Sequence, residues 1–207
     1  MAETLTAERT LLHIGCGDRR LSDLPAWFRD GWRETRIDPN EAHGPDVTAD
    51  LRDLSEIEDE NADAIWCSGG LERLTAEDGL IAMNEFHAVL KPEGFIVLST
   101  PDLRTVCRMV GEKGLDAPLY KSKLGPISGR DLIFGFQAAI LAGREDIAHR
   151  NGFDLTTLRD LLVRAGFRAI YGERRGFYLY FIASRTQRET EAASAHLHAI
   201  LGPREGA

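Results

Sequence analysis

Three cysteines in 207 residues, Cys16, Cys67 and Cys107, lie far apart and form no CxxC spacing. They cannot all pair, so a disulfide framework and a cysteine zinc site are both excluded, and a reducing, cytoplasmic setting is expected. No window holds the ~18 uninterrupted apolar residues a membrane span needs. The opening MAETLTAERT lacks a basic start and an apolar stretch, and is not expected to act as a signal peptide. Positive charge is also scarce: 25 Lys and Arg stand against 33 Asp and Glu, for a net charge of -8. A general affinity for nucleic acid leans on cations that this chain does not have in excess.

What is present is a mixture of short apolar runs and amphipathic stretches, 43% hydrophobic and 28% charged overall, as in a globular domain. LLHIG (11–15), RETRID (33–38), DVTADL (46–51), ADAIWCS (62–68) and GFIVLST (94–100) read as strands, the apolar ones suited to a buried parallel sheet. SDLPAWFRD (22–30) and TAEDGLIAMNEFHAVL (75–90) fall between them as helical segments. The second has apolar residues at helical spacing, with Thr75 and Asp78 placed as a capping box. FDLTTLRDLLVRAGF (153–167) is a further amphipathic helix ended by Gly166. FRAIYGERRGFYLYFIAS (167–184) then reads as a hairpin turning between Gly172 and Gly176. Alternating β and α units predict an α/β fold with helices on both faces of an open sheet.

The first strand runs into Gly15-Cys16-Gly17. In such a sheet ligands bind beyond the carboxyl ends of strands, where the strand order reverses. A glycine there lets a ligand approach the main chain and lets the turn take a positive φ. A dinucleotide fingerprint needs a third glycine at position 20, where Arg20 stands. The pyrophosphate reading weakens accordingly, and a nicotinamide-dependent oxidoreductase is disfavoured by Arg20 and by the terminal hairpin. The glycines are also consistent with a tight strand-to-helix turn alone.

LLHIGCGDRRL, TRIDPN, DVTADLRDL, ADAIWCSGGLERL, EFHAVLKPEGFIVLSTPDL and FDLTTLRDLLVRAGF occur together and in this order. The chain thereby resembles small class I S-adenosylmethionine-dependent methyltransferases of the group similar to the ubiquinone and menaquinone biosynthesis enzymes, over roughly residues 10–184. The resemblance implies a Rossmann-like, mostly parallel seven-stranded sheet closed by an antiparallel hairpin. It implies S-adenosylmethionine as cofactor and a small molecule as methyl acceptor, at oxygen or nitrogen. Gly15, Cys16 and Gly17 would lie against the methionine and ribose, and Asp38 would meet the ribose hydroxyls, a charge-assisted pairing. Pro39 would face the adenine. Asp50 would take its amino group, with the Leu51 amide on a ring nitrogen, and Ser68 would pass beneath the sulfonium. RIDPN is also readable as a plain turn, and Asp50 as one loop acid among many.

Three departures stand out. His13 occupies a position where the family often has an acid, and its neutral imidazole can still accept a hydrogen bond. Arg19 replaces a common third glycine, and Arg73 replaces a common histidine. They sustain a rival reading, a catalytically inactive cofactor-binding protein serving as partner or regulator of another enzyme. Glu72, beside Arg73, reads as a helix-start residue suited to the dipole.

Methyl transfer needs alignment, worth about 7–11 kcal/mol in favourable cases, and usually a base for the acceptor's proton. Of six histidines, His87 reads as structural and His43, His196 and His198 as solvated. His149, just before the last helix, is the candidate base. No metal is expected.

A domain over 1–185 is expected, with a substrate-cap insertion at about 102–150 and a helical tail over 186–207. Residues 102–130 carry six basic residues, among them Lys121 and Lys123, against three acids, whereas residues 38–85 hold fourteen acids and two arginines. A basic cap over an acidic body suggests an anionic or polar substrate, although a solvated surface loop would look the same. Tyr120 and Phe136 are candidates for the pocket wall. The tail's stripe of Ala193, Leu197, Ile200 and Leu201 would pack on the body or on a second copy in a homodimer.

Overall fold

A computed structural model describes residues 8–187 and 189–202. Most of the opening MAETLTAERT and the end of the tail, residues 203–207, lie outside the described residues. In chain order the elements are β1 (Arg9–Ile14), β2 (Trp32–Ile37), β3 (Ala62–Ser68), α1 (Ala76–Val89), β4 (Leu90–Pro101), α2 (Leu103–Lys113), β5 (Pro118–Ser122) and β6 (Gly125–Ser128). They continue with α3 (Gly129–Phe134), α4 (Gln137–Leu141), α5 (Leu155–Arg164), β7 (Ala169–Arg175), β8 (Tyr178–Ser184) and α6 (Thr190–Leu201). The main sheet has the order β2-β1-β3-β4-β8-β7. The pairs β1/β2, β1/β3 and β3/β4 are parallel, and β8 is antiparallel to both β4 and β7. The chain winds outward from β1 in both directions, so the reversal point lies beyond the carboxyl ends of β1 and β3.

The sheet has six strands among the described residues rather than the expected seven. DVTADL contributes only an isolated bridge, Ile37 with Val47. Arg36 N–H, which a seventh strand would have to engage, donates instead to the Asp46 carboxylate at 2.7 Å. A side chain thus satisfies the edge of β2 that a strand would otherwise cover. SDLPAWFRD forms two 3₁₀ turns, Leu21–Asp23 and Ala26–Phe28, and no α-helix. Pro25 between them has no N–H to carry a helical ladder across. DLIFGFQAAILAG is likewise two short helices, broken at Gly135 with φ +95°.

Strand alternation divides the core in two. Leu12, Ile14, Ile65 and Cys67 pack with Met83 and Phe86 of α1 and with Leu158 and Leu162 of α5. On the opposite side Leu11, Ala64, Trp66 and Val97 pack with Phe28, Trp32 and the Ala193, Leu197 and Ile200 stripe of α6. The tail helix therefore covers its own sheet. Arg175 of β7 ties it down, donating from Nη1 to the carbonyls of Leu201 (3.3 Å) and Gly202 (2.9 Å).

The histidines read as solvated are engaged. His196 stacks edge-on with Phe95, ring centroids 4.4 Å apart, and His198 Nε2 is 2.8 Å from Glu173. His43 Nδ1 is 2.7 Å from Asp18.

The terminal hairpin turns at Gly176 and Phe177, while Gly172 is interior to β7 and pairs with Phe181 of β8. The Phe181 ring lies across Gly172 where a Cβ would stand. Gly172→Ala is expected to destabilise the fold by about 1–3 kcal/mol through overpacking. Urea unfolding of the variant would test it, and an unchanged midpoint would show that the ring relaxes freely.

Candidate active site

Beyond β1 the backbone turns through Gly15 (φ +66°) and Gly17 (φ +54°), left-handed conformations that favour glycine. The amides of Gly15 and Cys16 both donate to the Ile37 carbonyl, at 2.9 and 3.3 Å, which docks the turn on the end of β2. Asp38, 5% exposed, follows directly and accepts from Gly17 N (2.8 Å) and Asn40 N (3.0 Å). One buried cation underlies both loops. Arg36, 2% exposed, donates from Nη2 to the carbonyls of Gly17 (2.6 Å) and His43 (3.1 Å), from Nε to Arg19 O (3.0 Å), and from Nη1 to Gly44 O.

Above these loops opens a cavity of about 480 Å³. That is within the ordinary range for a small-molecule site. Gly15, Asp38, Pro39, Asp50 and Leu51 line it together, as does Arg73. Asp50 is clasped by Arg52, whose Nε and Nη2 donate to its two oxygens at 2.7 and 2.9 Å, and this holds its carboxyl below the usual range.

His13, Cys16 and Gly17 stand behind this wall rather than on it. The Cys16 thiol is buried, which pushes its pKa up to about 11. His13 is fully buried with Nδ1 2.7 Å from Glu34 Oε1, and its Nε2 has no partner among the described residues. Burial lowers its pKa, outweighing the hydrogen bond to Glu34, so the ring is neutral.

A second cavity, about 400 Å³, lies between the ends of β3 and β4 and the 102–150 segment. Ser68 belongs here, its Oγ 2.8 Å from Ser99 Oγ. So does His149, which makes this the neighbour and not a part of the first cavity. Tyr120 and Phe136 also line it, and both pack at the same time on the small core of Val106, Ile127 and Leu132. Lys121 and Lys123 do not: both are exposed, since strand alternation in β5 turns Tyr120 and Ser122 inward. The positive charge facing this cavity comes from Arg19 and Arg73 instead.

Glu72 stands in the first turn of a 3₁₀ helix, Leu71–Arg73, as expected of a helix-start residue, but its surroundings were not legible in the sequence. It is 3% exposed, accepts from Thr100 Oγ1 at 3.1 Å, and its Oε1 lies 3.9 Å from His149 Nε2. Its carbonyl accepts from Arg150 N and Asn151 N, which fixes the chain beside His149. The His149 Nδ1 lies 3.2 Å from the Leu132 carbonyl, which can only accept, so Nδ1 carries the proton. The Nε2 lone pair is then free, and burial lowers the pKa while Glu72 opposes. A neutral imidazole with one nitrogen pinned and a carboxylate close to the other is arranged to take up a proton. Nothing in SGGLERL announces this, because the partners of Glu72, Thr100 and His149, come from segments distant in sequence.

Residues 1–171 match the family described as Methyltransferase domain. No curated protein sequence matches the chain. Among solved structures it is similar to the 1,6-didemethyltoxoflavin-N1-methyltransferase of Burkholderia thailandensis, bound to 1,6-didemethyltoxoflavin and S-adenosylhomocysteine. That similarity has a TM-score of 0.55 at 18% identity, over 88% of this chain and 73% of the other. A SAM-dependent methyltransferase from Archaeoglobus fulgidus gives a TM-score of 0.56 at 15% identity, over 84% and 85% of the two chains. One from Methanosarcina mazei gives 0.56 at 17% identity, over 87% and 94%. These likenesses show a shared fold.

Proposed function

The chain belongs to the methyltransferase-domain family, and on that premise we propose that it moves a methyl group from S-adenosylmethionine to an oxygen or nitrogen of a small molecule. The observation that carries this reading is the pair of adjoining cavities at the reversal point of the sheet, with Arg73 on the wall of both. The first fits an adenosyl group. Asp38 accepts one backbone hydrogen bond on each oxygen and keeps lone pairs for a ribose diol. Pro39 offers a flat face, and Asp50 with Leu51 lies where an adenine edge would reach. Gly17 serves by orienting Asp38, and His13 and Cys16 by filling the space beneath the turn.

When bound, the cofactor supplies an activated methyl on a sulfonium. The second cavity then has to hold the acceptor in line and receive its proton. His149 Nε2 would take that proton, while the methyl carbon gains its bond to the acceptor's oxygen or nitrogen and loses its bond to sulfur, whose electron pair leaves with S-adenosylhomocysteine. Glu72 stabilises the imidazolium that results. The inactive-partner reading finds less support, because a binding-only site has no use for a buried His149–Glu72 pair. The 102–150 segment acts as the substrate cap, and an anionic or polar acceptor accords with Arg19 and Arg73.

S-adenosylhomocysteine is expected to raise the melting temperature, and a panel of hydroxyl and amine acceptors to yield its enzymatic release. The rate should fall as pH drops below the ordinary histidine value of 6.5, since His149 must be neutral and burial holds its pKa lower. His149→Gln should cost about 10²–10⁴-fold in kcat, remove that acid limb, and leave S-adenosylhomocysteine affinity intact. An unchanged limb in the variant would remove His149 from the role.

A further inference from the structure

The second cavity contains both signs of charge, and its hydrogen-bonding capacity is spent unevenly. Asp131 accepts from Ser128 N (2.8 Å), Ser128 Oγ (2.6 Å) and Gln137 N (3.0 Å), and Glu72 is held by Thr100. The cations are not matched in this way. Arg19 uses Nη2 on the Ser68 carbonyl, at 2.7 Å. Arg73 Nε is buried with no partner among the described residues. Asp146, on the wall of the first cavity with Arg73, is taken by both Nε and Nη2 of Arg144. A buried, unpaired N–H of a guanidinium is costly to leave so, and a ligand acceptor would satisfy it.

Resting on the two-cavity reading above, we infer that the methyl acceptor is a monocarboxylate, its carboxylate held by Arg73 and Arg19 where the cavities meet. A guanidinium presents a planar fork of donors that matches a carboxylate's two oxygens. A single negative charge suits the site better than a phosphate dianion, because Glu72 and Asp131 lie in the same wall and repel a second charge. Ile127, Leu132, Phe136 and Tyr178 form an apolar part of the wall beside the hydroxyls of Ser99, Thr100 and Ser122, so the body of the acceptor has an apolar face, with its hydroxyl or amine toward His149.

The cofactor's own carboxylate is the other source of such a group, and one titration separates the two. The Nε–H resonance of Arg73, identified by its loss in Arg73→Lys, is followed in protein saturated with S-adenosylhomocysteine while benzoate or benzamide is added at millimolar concentration. The expected result is a saturable shift with benzoate and binding at least about tenfold weaker with the amide, as loss of a charge-assisted pair requires. Equal responses, or none to benzoate, would overturn the assignment. It would also fall if S-adenosylhomocysteine alone moved the resonance and benzoate then added nothing, since the carboxylate would be the cofactor's. A protein that binds benzoate at Arg73 but not S-adenosylhomocysteine would sink the proposed cofactor while leaving the anion site standing.

Discussion

Asp38→Ala is expected to weaken S-adenosylhomocysteine binding by about a hundredfold or more, the largest loss of any single change at the cofactor cavity. Two losses combine. The ribose loses a charged acceptor, at about 1.5–3 kcal/mol for each hydrogen bond made to it. The Gly17 and Asn40 amides also lose the carboxylate that sets the loop, at 2.8 and 3.0 Å, before any ligand arrives. Asp38→Asn keeps one carbonyl oxygen and nearly the same shape, so it should fall between wild type and alanine. Calorimetric titration ranks the three proteins. An alanine variant that binds within about threefold of wild type would mean the adenosyl group lies elsewhere.

Arg36→Met should be the most damaging substitution for stability, at about 3–5 kcal/mol, and should abolish cofactor binding with it. The guanidinium joins carbonyls from two separate loops, Gly17 and Arg19 on one and His43 and Gly44 on the other. Methionine fills much of the volume but leaves those carbonyls facing an apolar chain. Each unsatisfied one costs about 1–3 kcal/mol, less where water reaches it. Arg36→Lys should rescue little, because one compact ammonium cannot span acceptors on both sides. Urea unfolding at neutral pH gives the stability difference. Full stability in Arg36→Met would show that the loops hold without their cation.

How far the chain could be read from its residues varied with the range of the forces involved. Thr75 caps α1 by accepting from Asp78 N at 3.2 Å, as its local spacing predicts. The apolar runs of β1, β3, β4 and β8 likewise declared themselves, since burial on both faces demands them. DVTADL and SDLPAWFRD misled because each has the composition of an element whose partners never form. Asp46 closes the sheet edge in one, and Pro25 interrupts the ladder in the other. At the site, Gly15, Asp38 and Pro39 directly follow strand ends, whereas Asp50 and Leu51 follow the isolated bridge at Val47, and the cavity they share lies where the strand order reverses. His149 and Glu72 are 77 positions apart, and no local pattern ties them.

Patterning of apolar residues and glycines by itself determined the layered fold, the reversal point and the acid-bearing loop beside it, because those depend on neighbours along the chain. Tertiary structure alone decided that α6 covers its own sheet, that Lys121 and Lys123 face outward, and that Arg19 and Arg73 face an interior space with donors to spare. The reason is physical: burial changes what a charged group costs and which partners it keeps, and burial is set by segments that meet only after the chain has folded.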